Sequence, residues 1–575
     1  MKQTVVFRLV CALALLAPGW AAGEDTNAFW SWAARPVLGW NSWDFYGTSI
    51  NEDCAKTQVD YVAGHLHSHG WDLVTVDIQW YQPTATGFNY IKGAPLSMDE
   101  WGRLIPATNR FPSAAGGAGF KPLAEYVHSK GLKFGIHMMR GIPRQAVLHN
   151  VLILGTTNTA AQIANPSSTC PWNSDMYGVN MTKPGAQEYY DSIFALVASW
   201  GVDFVKIDDL SRPYHTAEIE AIRKAIDKTG RAIAFSTSPG STPVAMGAHV
   251  MRHANQWRVS DDFWDNWKSL QEQFKRLHDW TPYRGAGHFP DADMLPLGKL
   301  NGGSPGALGR RTHFTPDEQY TLMSLWAIAR SPLILGADLT QLDPFTLSLL
   351  TNDEVLAVDQ SSLHNRELFR TNDLIAWVAD AEGSADKYLA LFNATSNSAA
   401  IPVDLFSVGF TSSCAVRSLW DGTNLGNFSG TFSPVISSHR GMLYRLSGPA
   451  MPVPWIVNAA GGSNSVSVAW EPVSGGKFSI KRAAFETGDY QTLATGLANC
   501  AYTDLTAQND ATYYFAVSVT IDGRESANSS AWPATPHRPP GMVGVNSSLA
   551  GAINTNSLIS ANTATNWNNS SPNTR

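Results

Sequence analysis

The stretch "DFVKIDDLSRP", Asp203 to Pro213, sets Lys206, Asp208 and Asp209 in a run of Phe, Val, Ile and Leu that otherwise reads as a buried strand. Burying an unpaired charge is costly, so charges in such a strand require partners or chemistry. Side chains alternate along a strand, which puts Lys206 and Asp208 on one face and Asp209 on the other. A Lys two residues before an Asp on the same face favours the ionised carboxylate. An ionised carboxylate at the mouth of a barrel has the profile of a glycosidase nucleophile. A Lys–Asp pair that merely closes a barrel fits the same pattern.

A second concentration of acid groups is "QWRVSDDFWDNW", where Asp261, Asp262 and Asp265 stand beside Trp257, Trp264 and Trp267. A carboxyl packed against aromatic rings has its pKa raised, as a general acid requires. Three carboxylates so close together also suit an exposed acidic loop or a helix N-terminus. Asp77, His137, Asp291 and Asp293 end other apolar runs and complete a polar ring.

The elements that carry these residues alternate. Eight strand candidates, "PVLGW" (36–40), "LVTVDIQW" (73–80), "LKFGIHM" (132–138), "DFVKIDD" (203–209), "AIAFST" (232–237), "NQWRVS" (255–260), "FPDADML" (289–295) and "SPLILG" (331–336), are separated by helical patterns. That order predicts a (β/α)8 barrel over 30–365, with polar residues at the strand ends where catalytic groups belong. An irregular insertion over 142–180, rich in Asn, Ser, Thr and Pro, is a candidate rim or lid. Short strands without helices follow and predict an antiparallel β-sandwich over 366–448. After "PAMPVPW", residues 452–537 resemble a fibronectin type III sandwich, with Trp470 and Tyr514 as core anchors. Residues 538–575 are low in complexity and read as disordered.

Composition narrows the partners. With 44% hydrophobic and 15% charged residues in 575, large cores are within reach. The 21 Trp suit sugar-binding faces and large aromatic cores equally. A net charge of −7 argues against nucleic acid and anionic membranes. Residues 1–22 read as a secretory signal peptide, Lys2 and Arg8 before the apolar run Leu9–Ala17, with cleavage near Ala21 or Ala22. The apolar run is too short to span a bilayer, so an exported protein without membrane insertion is expected. Cys54, Cys170, Cys414 and Cys500 form neither a disulfide framework nor a metal motif, though a Cys54–Cys170 pair is conceivable.

The motifs "LGWNSWDFYG", "RFPS", "GFKPLAEYVHSKGLKFGI", "VDFVKIDD", "FPDADMLPLG", "DEQYTLMSLWAIARSPLILGADL" and "LLTNDEVLAVDQ" resemble glycoside hydrolase family 27, the α-galactosidase and α-N-acetylgalactosaminidase family. The resemblance runs from Pro36 to Gly448. It implies hydrolysis with retention, Asp208 as nucleophile and Asp262, four residues after Arg258 and five before Trp267, as acid/base. It also implies sugar contacts at Trp40, Asp77, Lys206, Arg258 and Asp293, and no metal or organic cofactor.

The chain departs from the family where the sugar is recognised. Ile78 replaces a second carboxylate that helps hold the 4- and 6-hydroxyls, and His137 stands where a Tyr is usual. Gln145 and Leu210 replace both partners of a family disulfide. "STSPGS" replaces the C2-reading loop, with Ser238 at a position where the acetylgalactosaminidases carry a small residue. The leading expectation is an α-galactosidase acting on an oligo- or polysaccharide. The alternatives are a β-L-arabinopyranosidase, whose sugar lacks C6, an α-N-acetylgalactosaminidase or an isomalto-dextranase. A catalytically silent carbohydrate-binding protein would lack one of the two carboxylates, and both are present.

Overall fold

The computed structural model describes residues 28–238 and 240–538. The leader expected over 1–22 and, apart from Arg538, the tail expected over 538–575 lie outside them.

All eight expected strands form: β1 (Leu38–Asn41), β2 (Leu73–Val76), β3 (Lys133–Met139), β4 (Phe204–Asp208), β5 (Ala234–Thr237), β6 (Gln256–Arg258), β7 (Phe289–Asp291) and β8 (Leu333–Leu335). They make one parallel sheet ordered β7-β6-β5-β4-β3-β2-β1-β8. A parallel bridge between Leu295, just past β7, and Leu335 of β8 brings the two edges together. "LVTV" is buried at every position, as expected of a strand covered on both faces. The registers His137↔Lys206 and Met139↔Asp208 bring β3 and β4 level at the mouth.

The covering helices include α1 (Glu52–Tyr61), α2 (Lys121–Ser129), α3 (Ala186–Ser199), α4 (Thr216–Lys228), α5 (Trp267–Asp279) and α6 (Pro316–Ala329). In α6, Thr315 and Glu318 form a capping box, Pro316 takes the first turn, and Arg330 ends the helix at φ 51°. Its nearly continuous apolar sequence fits its position, because the barrel lies on one side and the sandwich on the other. Thr321 Oγ1 donates to His439 O at 2.6 Å and Trp420 Nε1 to Ser324 Oγ at 2.9 Å, so the two units are joined across α6.

The sandwich starts at Ser362, slightly inside the expected barrel limit, and builds a six-stranded antiparallel sheet ending in Gly441–Ser447. A second sandwich follows from Ile456, with its own core of Trp470, Phe478, Phe515, Val517 and Val519. Tyr514 is not in that core: it precedes Phe515 on Tyr513–Ile521, so the period of two turns it outward, beside Lys275 and Glu486. The 142–180 insertion is more regular than expected. Met176–Val179 pairs with both Ile142–Pro143 and Ala164–Asn165 in a small antiparallel sheet. Cys54 and Cys170 are free, so the conceivable disulfide is absent; Cys54 sits in α1 and Cys170 in the insertion.

Trp326 of α6 is fully buried, donates Nε1–H to Asp293 O at 2.9 Å and packs 5.1 Å from Phe263. Trp326→Ala is expected to cost about 3–5 kcal/mol. The check is a lowered thermal midpoint in scans of the full chain.

Candidate active site

The ends of β2, β4, β6 and β7 open into a cavity of about 420 Å³. Its charged lining includes Asp44, Asp77, Lys206, Asp208, Arg258, Asp262 and Asp293, and its aromatic lining includes Trp43, Tyr90, Trp172 and Trp264. Strand alternation does what the sequence predicts: Lys206 and Asp208 both reach the cavity from β4.

Lys206 Nζ lies 3.1 Å from Asp77 Oδ2. Asn41 Nδ2 donates to the same oxygen at 2.7 Å, and the Ile78 N–H donates to Asp77 Oδ1 at 2.9 Å. Burial acts to raise the Asp77 pKa, but Lys206, His137 and these hydrogen bonds outweigh it and hold the carboxylate below its ordinary range. Burial likewise opposes the charge on Lys206, and Asp77, Asp208 and Asp293 overcome it, so the ammonium is held.

Asp208 is buried, and its Oδ2 lies 2.8 Å from Nε2 of the fully buried His137. Its Oδ1 has no hydrogen-bond partner among the described residues. Asp209 leaves β4 at φ 66°, a left-handed conformation that Asp tolerates. Its carboxylate turns to Arg140, whose Nη2 is 2.7 Å from Asp209 Oδ2 and whose Nη1 is 2.7 Å from Glu218 Oε1. Asp209 therefore anchors a buried ion network beside the strand end.

Asp262 flanks the cavity beside Arg258, whose Nη2 is 3.4 Å from Asp262 Oδ1. Its side chain is 65% exposed, so the aromatic shielding expected from the sequence is not in place. Trp257 packs beneath against Trp280, Trp267 stacks on His439, and Trp264 alone of the three lines the cavity. Asp261 also borders the cavity but pairs with Arg212 in solvent. Asp265 is buried against Arg310 and accepts the His313 N–H.

Arg258 Nη2 also lies 2.6 Å from Asp293 Oδ2, and the Phe263 N–H donates to that oxygen at 2.7 Å. Burial, with Asp262 and Asp291 nearby, raises the Asp293 pKa against the pull of Arg258. Asp291 is buried under this pair and accepts the Asp293 N–H at 2.8 Å.

Three residues expected at the sugar do not line the cavity. Trp40 is 1% exposed and donates Nε1–H to Ala337 O at 2.7 Å, so its indole is committed to the fold. His137 stands behind Asp208, and Ser238 is buried at the end of β5. Sequence reasoning missed Asp44, Trp43, Tyr90 and Trp172. The first two lie inside the quoted motif "LGWNSWDFYG", and Trp172 lies in the insertion expected at the rim. Trp43 stacks 6.0 Å from Tyr90, which sits 5.4 Å from Trp172, giving a continuous aromatic wall. Asp44 fits only because residue 336 is Gly: a Cβ there would stand 2.3 Å from Asp44 Oδ2.

Residues 35–149 and 174–361 match the family described as alpha galactosidase A, and 371–446 match the alpha galactosidase C-terminal β-sandwich domain. The chain belongs to glycoside hydrolase family 27. A β-L-arabinopyranosidase of this family from Geobacillus stearothermophilus, solved in complex with arabinose, is 48% identical, with a TM-score of 0.72 over 74% of this chain and 99% of that one. A putative α-N-acetylgalactosaminidase from Bacillus halodurans is 46% identical, with a TM-score of 0.65 over 72% and 97%. Alpha-galactosidase 2 of Arabidopsis thaliana is 28% identical over 451 residues, 77% of this chain and 96% of the relative. The chain is thus a glycosidase, and carbohydrate is its substrate class. No helix among the described residues is long and apolar enough to cross a membrane.

Asp44 supplies a pH test of this family 27 cavity. Burial first, and then Asp293, Asp262 and Asp77, raise its pKa well above the ordinary value, against Lys206. A raised carboxyl favours the protonated folded state, so stability falls as pH climbs from the unfolded pKa of about 3.9 toward the folded value. Asp44→Asn is expected to raise the thermal midpoint at neutral pH. The gain should vanish below about pH 4, where the carboxyl is protonated in both states.

Proposed function

We propose that the chain is a retaining β-L-arabinopyranosidase, with α-galactosidase, the leading expectation from sequence, as the second reading. The observation that carries the first is Ile78, an apolar side chain lining the cavity next to Asp77. β-L-Arabinopyranose matches α-D-galactopyranose around the ring but has hydrogen in place of the C5 hydroxymethyl group. A buried hydroxyl facing Ile78 would lose a hydrogen bond to a charged group, about 1.5–3 kcal/mol, whereas a sugar without C6 loses nothing there. The 48% identity to an arabinopyranosidase, against 28% to the plant galactosidase, supports the same order. Galactose is favoured instead by Asp44, a second buried carboxyl on the same cavity.

In the proposed mechanism Asp208 attacks the anomeric carbon while Asp262 protonates the leaving oxygen; Asp262 then deprotonates the water that frees the glycosyl-enzyme. Asp77, Lys206, Arg258 and Asp293 bind the glycone. His137, 2.8 Å from Asp208, orients the nucleophile from behind. The exposed Asp262 can exchange its proton with solvent in the second step, and the Trp43–Tyr90–Trp172 wall offers ring faces to the sugar's C–H surface. The leader sequence supports export, and the last sandwich fits a spacer of the fibronectin type III kind.

The test compares kcat/KM on nitrophenyl β-L-arabinopyranoside, α-galactoside and α-N-acetylgalactosaminide, with dextran as the polymer. The arabinopyranoside is expected to lead, and preference for galactoside would reverse the two readings. Ile78→Asp should raise the galactoside-to-arabinopyranoside ratio by about 10- to 100-fold, the equivalent of one charge-assisted hydrogen bond.

Asp208→Ala should lower kcat by more than about 10³-fold on every substrate. Asp262→Ala should spare nitrophenyl glycosides more than natural ones, because a good leaving group needs less protonation. Equal losses on both would remove Asp262 from the acid role.

A further inference from the structure

Outside the cavity, α4 and the β5–β6 connection, with its short helix Gly247–Met251 and the turn after it, bring Glu220, His249 and His253 together. His249 lies in that helix and His253 in the turn just past its end, and their imidazole rings stack with centroids 4.3 Å apart. One ligand atom from each of the three lies within 4.8 Å of the others. His249 Nε2 is 3.2 Å from Glu220 Oε1.

The other ring nitrogens are already committed. His253 Nδ1 is 2.7 Å from the His249 carbonyl oxygen, which can only accept, so His253 Nδ1 carries the proton and Nε2 keeps its lone pair. His249 Nδ1 is 2.7 Å from the Tyr214 hydroxyl. A metal-bound imidazole donates its second N–H to such a carbonyl or hydroxyl partner, which fixes both tautomer and ring direction.

We propose that Glu220, His249 and His253 form a binding site for a divalent transition metal of the zinc class. Two imidazoles and one carboxylate suit zinc rather than calcium or magnesium, and three protein ligands leave a fourth position open. Bonds of about 2.0–2.1 Å in tetrahedral geometry need donors about 3.4 Å apart; His249 Nε2 and Glu220 Oε1 already stand 3.2 Å apart, and the closing movement, from at most 4.8 Å, falls mainly to the His253 ring. Arg252, whose positive charge acts on His253, is exposed, and its long side chain can swing into solvent. The metal would clamp α4, which follows the β4 loop, to the connection after β5. Those two connections contribute Arg212 and Gly240 to the cavity wall, so the clamp would hold that wall in place.

The site stands apart from the glycone reading, and its test does not use hydrolysis. The full chain, stripped with chelator and freed of any affinity tag, is titrated calorimetrically with zinc chloride, and with cobalt(II) followed by visible absorption. The expected result is one saturable site per chain with a tetrahedral cobalt spectrum. Glu220→Gln and His253→Gln should abolish it, and Tyr214→Phe should weaken it by about 10- to 100-fold. Glu220 is 54% exposed, so its variant is expected to fold normally. Absence of saturable binding in the native chain, or unchanged binding in Glu220→Gln and His253→Gln, would overturn the proposal.

Discussion

The mouth of the barrel is organised by an imbalance of buried charge. Asp44, Asp77, Asp208 and Asp293 converge on a cavity that offers the half-buried Lys206 and the buried Arg258 as their cations. Each cation therefore serves more than one acid: Arg258 contacts Asp293 and Asp262, and Lys206 contacts Asp77 while Asp208 and Asp293 add to its field. Low local polarity makes these interactions strong and also penalises the surplus negative charge. Burial first, and then the neighbouring acids, raise the proton affinity of Asp44 and Asp293, while burial alone raises that of Asp291. A site strained this way gains when a polyhydroxylated ligand brings hydroxyl donors to the carboxylates.

The surrounding fold keeps those acids from drifting toward the cations or out to solvent. The backbone of Ile78 and the side chain of Asn41 hold Asp77, the Phe263 N–H holds Asp293, and Gly336 leaves room for Asp44. Behind Asp208 the Asp209–Arg140–Glu218 network satisfies the neighbouring carboxylate internally, so it does not compete for Lys206. Below the mouth, α6 joins barrel and sandwich, and Trp326 ties it to the backbone of Asp293. The sandwich is thereby a structural support of the site.

The recognition surface is built from separate pieces. Asp77, Asp208 and Asp293 come from strand ends, while the aromatic wall draws Trp43 from the short helix after β1, Tyr90 from the long connection after β2 and Trp172 from the 142–180 insertion. Ile78 lies at the seam between the two sets. One side chain there changes which sugar leaves a polar group unsatisfied, while Asp208 and Asp262 remain in place. The proposed shift in glycone needs no change in the cleavage machinery.

Much of this was legible in the sequence. The eight strands, their order and the inward pairing of Lys206 with Asp208 follow from apolar runs, turn residues and the two-residue period of a strand, all of which are local. The departure at Ile78 was equally visible, because it is a residue type at a motif position. Contacts across the fold were not. That Trp40 spends its indole on Ala337, that Asp262 stands open to solvent, that Asp265 belongs to Arg310 and that Tyr514 turns outward depend on partners distant in sequence or on the far face of a strand. Asp44 is the sharpest case. Its type and position were in plain sight, yet its burial beside Gly336, nearly three hundred residues away, makes it part of the cavity. Local periodicity determined the barrel and the strand-borne acids; only tertiary packing decided which acids share one cavity and how their charges are balanced.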